Sequence, residues 1–120
     1  MVDGALRVLI IDRHEDSRVL LGDLLSSRGH NCRAVEDLET ALSELAALRP
    51  DAIIVEWYKG GKPDTELLEV LRRRATELGI DARLVVLSTL PDGQATADAD
   101  GYLLKPAHLD DVEALIRKPA

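Results

Sequence analysis

Apolar residues fall along this chain in two alternating rhythms. Val8 to Ile11, Ala52 to Val55 and Leu84 to Leu87 are continuous apolar runs, the pattern of strands buried on both faces. Cys32 to Val35 and Tyr102 to Leu104 are weaker strand candidates of the same kind. Between the runs, apolar positions recur at helical spacing. They are Val19, Leu20, Leu24 and Leu25; Leu38, Ala41, Leu42, Leu45 and Leu48; Leu67, Leu68, Leu71, Ala75 and Leu78; and Leu109, Val112, Leu115 and Ile116. Glu15 and Asp16 lead into the first helix and Gly29 stops it. Asp37 is placed to cap the second, with Pro50 beyond its end, while Asp64 caps the third and Gly79 closes it. The loop Trp57 to Pro63, with Gly60 and Gly61, links the third strand to the third helix. From Leu90 to Asp100 the only apolar residues after Leu90 are alanines, so the helix due there is expected to be shortened.

Strands alternating with helices predict one α/β domain over residues 6–117. We expect a doubly wound, five-stranded parallel sheet in the order 2-1-3-4-5, joined by right-handed crossovers. In such sheets, sites form outside the carboxyl ends of the strands, near the point where strand order reverses. Asp12, Glu56, Ser88 and Lys105 each end a strand at that edge.

Composition narrows the partners. With one Trp, two Tyr and no Phe, the core must be aliphatic. A formal charge of -7 repels a phosphate backbone, so direct nucleic-acid binding is not expected. Arg72, Arg73 and Arg74 form a basic run, read as a solvated helix face. The lone Cys32 has no internal disulfide partner, no apolar run approaches the roughly 18 residues that span a bilayer, and Met1 to Arg7 lacks the pattern of a signal peptide. The expected location is therefore the cytoplasm.

The four strand-end residues and their spacing resemble the receiver domains of two-component response regulators, from about Leu6 to Arg117. Lys105-Pro106 after a short strand is the most specific single mark. The resemblance implies a flavodoxin-like three-layer sandwich. It also implies that Asp12 belongs to an acidic metal-holding pocket, that Glu56 stands at the phosphoacceptor position, and that Ser88 and Lys105 correspond to the groups binding phosphoryl oxygens. Tyr102 would correspond to the aromatic switch. In an ordinary receiver, carboxylates hold magnesium, aspartate is the nucleophile, and the hydroxyl and lysine stabilise the transferred group.

Two departures change the expected chemistry. Arg13 stands where a second acid is usual, and Glu56 replaces the aspartate. Asp12 and Glu56 opposed by Arg13 and Lys105 sum to zero formal charge, which removes most of the electrostatic demand for a divalent cation. The added methylene of Glu56 moves its carboxylate about 1.5 Å, and a misplacement of about 1 Å can cost on the order of a hundredfold in rate. Glu56 is thus expected to pair with Arg13 or Lys105 and to stand as a permanent negative charge. Glu15 is a partial substitute for the missing acid. Lys59 and Gly60 replace the usual Met-Pro, and Tyr58 occupies the position whose carbonyl would meet a metal.

The expected function is a pseudo-receiver: a signalling module of a phosphorelay system, independent of phosphorylation, acting by protein contact and not as an enzyme, with no cofactor. Its partners would be a sensor kinase, an effector domain or another signalling protein; a homodimer is left open, and no membrane is involved. The alternative is a magnesium-dependent phosphoacceptor that tolerates Glu56. A remote alternative is a cobalamin-binding domain, since Asp12-Arg13-His14-Glu15-Asp16-Ser17 nearly matches the D-x-H-x-x-G loop that uses such a histidine on cobalt. His30 and His108 read as surface residues, Trp57 and Tyr58 as a loop pair forming either a partner patch or a lid, and Tyr102 as a packing residue.

Overall fold

A computed structural model describes residues 4–57, 65–88 and 99–117. Five strands are formed: β1 (Arg7–Ile11), β2 (Asn31–Val35), β3 (Ala52–Trp57), β4 (Arg83–Ser88) and β5 (Gly101–Leu104). They alternate with α1 (Glu15–Ser27), α2 (Leu38–Leu48), α3 (Thr65–Glu77) and, after β5, α4 (Leu109–Ile116). All strand pairs are parallel and the order is β2-β1-β3-β4-β5, the expected doubly wound sheet. The segment between β4 and β5 expected to hold a shortened helix, the Asp64 cap and most of the Gly60–Gly61 loop lie outside the described residues.

The local signals act as their chemistry requires. Asp37 accepts the Thr40 backbone N–H at 2.8 Å and so caps α2. Gly29 and Gly79, which stop α1 and α3, take positive φ values of 94° and 71°, a conformation a Cβ would oppose. Trp57, expected in the loop, is instead the last residue of β3, because its backbone pairs with Ser88 of β4.

Period-two alternation divides the apolar residues between two cores. Leu9, Ile11, Ile53, Val55, Leu84 and Val86 face one side of the sheet, where Leu45 of α2 and Leu68 and Leu71 of α3 cover them. Val8, Ile10, Ile54, Val85 and Leu87 face the other, under Leu21 and Leu25 of α1 and Val112 and Ile116 of α4. The result is a three-layer sandwich with a central sheet buried on both faces. On the β5 edge α4 comes close. A Cβ on Gly101 would stand 2.9 Å from Leu115 Cδ2, so a larger residue there requires the Leu115 side chain to turn aside.

Candidate functional site

Strand register brings the four candidate residues together. Ile11 is level with Val55, which places Asp12 and Glu56 side by side just beyond. Ser88 ends β4 opposite Leu104, and the Lys105 backbone N–H donates to the Ser88 carbonyl at 2.7 Å. Asp12 and Ser88 are fully buried, Glu56 nearly so, and Lys105 reaches the group from the rim.

Asp12 is held from the chain that follows it. Its Oδ1 accepts the His14 backbone N–H at 2.9 Å, and its carbonyl accepts Arg18 Nη1 at 3.0 Å. Glu56 Oε1 pairs with Lys105 Nζ at 3.0 Å. Its Oε2 is buried and meets no hydrogen-bond donor among the described residues. Two acceptor-only carboxylates in contact within a buried space are unfavourable unless one holds a proton. Burial first, and then the adjoining Asp12 carboxyl, push Glu56 up to about 8, while Lys105 pulls the other way. Near neutral pH Glu56 is therefore largely protonated, and its proton supplies the donor that the carboxyl pair lacks.

Two expectations are corrected here. Arg13 does not join the cluster: it is exposed just past the end of β1, and its guanidinium makes no ion pair among the described residues. Nor is Glu56 a permanent negative charge, because a desolvated carboxyl beside Asp12 keeps its proton. The pocket still sums to zero, with Asp12 at -1, Lys105 at +1 and a neutral Glu56. A proton fills the place in the count assigned to Arg13.

The divalent cation that the resemblance implies needs several oxygen ligands, chiefly ionised carboxylates. Here one carboxyl is engaged by Lys105 and holds a proton near neutral pH, and Arg13 stands where a second adjacent acid is expected. No group of three His, Cys, Asp or Glu side chains that could hold a metal forms among the described residues. This donor set does not fit the ion.

The remaining candidates are distributed as follows. Tyr102 is half-buried on β5 and packs against the first of the two cores. His14 is exposed and precedes α1. Within the basic run, Arg73 and Arg74 are exposed as on a solvated face, Arg74 pairing with Glu77 at 3.4 Å, whereas half-buried Arg72 donates to the Ala82 carbonyl at 2.8 Å and pairs with Asp100 at 2.6 Å. Tyr58, Lys59 and Gly60 lie outside the described residues.

Sequence reasoning misplaced one residue altogether. His30, expected at the surface, is buried between the end of α1 and the start of β2. Its Nδ1 accepts the Leu6 backbone N–H at 3.0 Å, and its Nε2 meets Glu113 Oε2 of α4 at 2.9 Å. Only the Gly29 stop immediately before it hints that the position is turned inward; its partner lies 83 residues away.

Comparison with known proteins places the fold. No protein-family profile matches the chain. The response regulator MprA of Mycobacterium bovis is 31% identical over 119 residues, covering 94% of this chain and 50% of MprA. The chain spans half the length or less of the curated relatives it matches. A solved response regulator from Burkholderia pseudomallei, with a phosphorylated aspartic acid, calcium and citrate, superimposes with a TM-score of 0.74 at 26% identity, over 92% of this chain and 66% of that one. TrrA of Thermotoga maritima, solved in complex with the histidine kinase ThkA, gives a TM-score of 0.69 at 23% identity, over 90% of this chain and 92% of its own. No helix among the described residues is long and apolar enough to cross a membrane.

Proposed function

We propose that this receiver-like signalling domain, which has the fold of the response-regulator receivers and resembles them over nearly its whole length, passes its signal by protein contact without accepting a phosphoryl group. The observation that carries the reading is the Glu56–Lys105 pair at 3.0 Å, in a pocket shared with buried Asp12. In a phosphoacceptor, the lysine must be available to the incoming phosphoryl oxygens and the nucleophile must be ionised. Lys105 is already spent on Glu56, and near neutral pH Glu56 keeps the proton that a nucleophilic carboxylate must lack. The partners that fit are a sensor kinase, an effector domain or another signalling protein.

Titration of backbone amide NMR signals with magnesium and then beryllofluoride, a phosphoryl analogue, tests this. Signals of Asp12, Glu56, Ser88 and Lys105 are expected to stay fixed through millimolar concentrations. If they shift, and Tyr102 moves with them, the pocket accepts phosphoryl chemistry and the reading is wrong.

A further inference from the structure

The strand that delivers Lys105 to the pocket is held mainly at its two ends. β5 is an edge strand of four residues, and none of them is fully buried. Tyr102 and Leu103 are only partly covered, one on each core. A short ladder with half-covered side chains is weakly fixed by packing, so polar contacts decide where it lies. At the entrance, Asp100 closes both backbone groups of Leu84 on β4. Its N–H donates to the Leu84 carbonyl at 2.7 Å, and its Oδ2 accepts the Leu84 N–H at 2.8 Å. The same Oδ2 accepts Arg72 Nη2 of α3 at 2.6 Å, while Arg72 Nη1 donates to the Ala82 carbonyl at 2.8 Å. Burial opposes ionisation of Asp100, but the Leu84 N–H, and then Arg72 and Arg83, outweigh it and hold the carboxyl below the usual aspartate range. At the exit, the Lys105 N–H meets the Ser88 carbonyl at 2.7 Å and its Nζ meets Glu56 at 3.0 Å.

We propose that Asp100 is the positioning residue of the pocket: by fixing the start of β5 to Leu84 and Arg72, it sets where Lys105 arrives beside Glu56. The inference rests on the Glu56–Lys105 pair that carries the proposed function. Asp100 stands immediately before β5 and Lys105 immediately after it. An extended strand has a nearly fixed rise per residue, so a shift at its entrance is passed on to its exit. The lysine stem is flexible, and its ammonium settles on one carboxyl oxygen only while the backbone beneath it is held. Because Arg72 belongs to α3, the anchor also joins that helix to the pocket. A contact that draws Arg72 away from Asp100 would loosen Lys105, and loss of the Lys105 pair would in turn loosen Asp100, since coupling between two sites is reciprocal.

Two NMR signals test this at pH 7: amide hydrogen exchange at Lys105, taken relative to Ile54 of β3, and the carbon-13 signal of the Glu56 carboxyl. Lys105→Met gives the carboxyl signal of a pocket without the pair. Asp100→Ala should speed relative exchange at Lys105 about tenfold, the worth of one lost hydrogen bond, and should move the Glu56 signal toward its position in Lys105→Met. Asp100→Asn, which keeps an oxygen for the Leu84 N–H, should restore most of both. Leu25→Ala, which destabilises the chain away from β5, should leave both at wild-type values. Wild-type signals in Asp100→Ala, or equal changes in Leu25→Ala, overturn the positioning role. Should Asp100→Ala fail to fold, Arg72→Met, which spares the Asp100 bonds to Leu84, is expected to move both signals the same way by less, and no movement overturns the role. A Glu56 signal unchanged in Lys105→Met denies the pair itself and refutes the proposed function together with this inference, whereas a null confined to the Asp100 variants refutes the inference alone.

Discussion

Replacing Glu56 by glutamine should flatten the pH dependence of stability on the alkaline side. In the folded chain the Glu56 carboxyl is pushed from its ordinary 4.5 up to about 8, chiefly by burial and then by Asp12. Between those values the native state binds a proton that the unfolded chain has released, so stability falls as pH rises through the window. At about 1.4 kcal/mol per pH unit, the full effect is at most about 5 kcal/mol. Glutamine keeps the shape, offers an amide N–H to Asp12 and a carbonyl to Lys105, and never ionises. Urea unfolding at pH 5, 7 and 9 is the assay, and with a slope of about 2 kcal/mol/M the full effect is about 2.5 M in midpoint. The two proteins should agree at pH 5, and the wild type should lag increasingly by pH 9. Parallel profiles across the range, or a wild type that gains on Glu56→Gln at pH 9, would refute the protonated pocket.

Removing the cation with Lys105→Met leaves Glu56 without the one group that opposes its protonation, so its carboxyl signal in carbon-13 NMR should titrate above about 8. The same variant should lose about 1 to 3 kcal/mol at neutral pH from the broken buried contact, measured by urea unfolding. Restoring the acids with Glu56→Asp and Arg13→Asp together is expected to produce magnesium-dependent amide shifts that the wild type lacks; a silent double variant would count against the charge argument. Leu25→Ala, which empties a fully buried position between α1 and the sheet, should cost about 2 to 5 kcal/mol in the same unfolding assay.

The sheet was legible because buried parallel strands leave an unmistakable local mark. Val8 to Ile11 and Leu84 to Leu87 need no long-range information to be read, and the Gly29 and Gly79 stops lie where the left-handed conformation is needed. Bringing Asp12, Glu56, Ser88 and Lys105 to one edge followed from strand order alone. Protonation did not follow, because formal charges in a sequence carry no desolvation energy; only the depth of Glu56 and its contact with Asp12 supply it. Arg13 was misjudged for a related reason: adjacency to Asp12 in sequence does not fix direction, and two residues past the strand the side chain already faces solvent. His30 escaped because both of its partners, Leu6 and Glu113, are set by tertiary packing, 24 and 83 residues away along the chain.

The close approach of α4 over Gly101 carries a consequence for how this domain can vary. The end of the Leu115 side chain fills the space over Gly101, so bulk gained on β5 has to be met by a turned or smaller side chain at Leu115. Among relatives that keep this helix placement, side-chain size at the two positions should therefore trade off, a small residue at one accompanying a large residue at the other. A lineage that enlarges position 101 without shrinking position 115 would have to turn the residue-115 side chain outward, and the outer surface of its last helix would change with it.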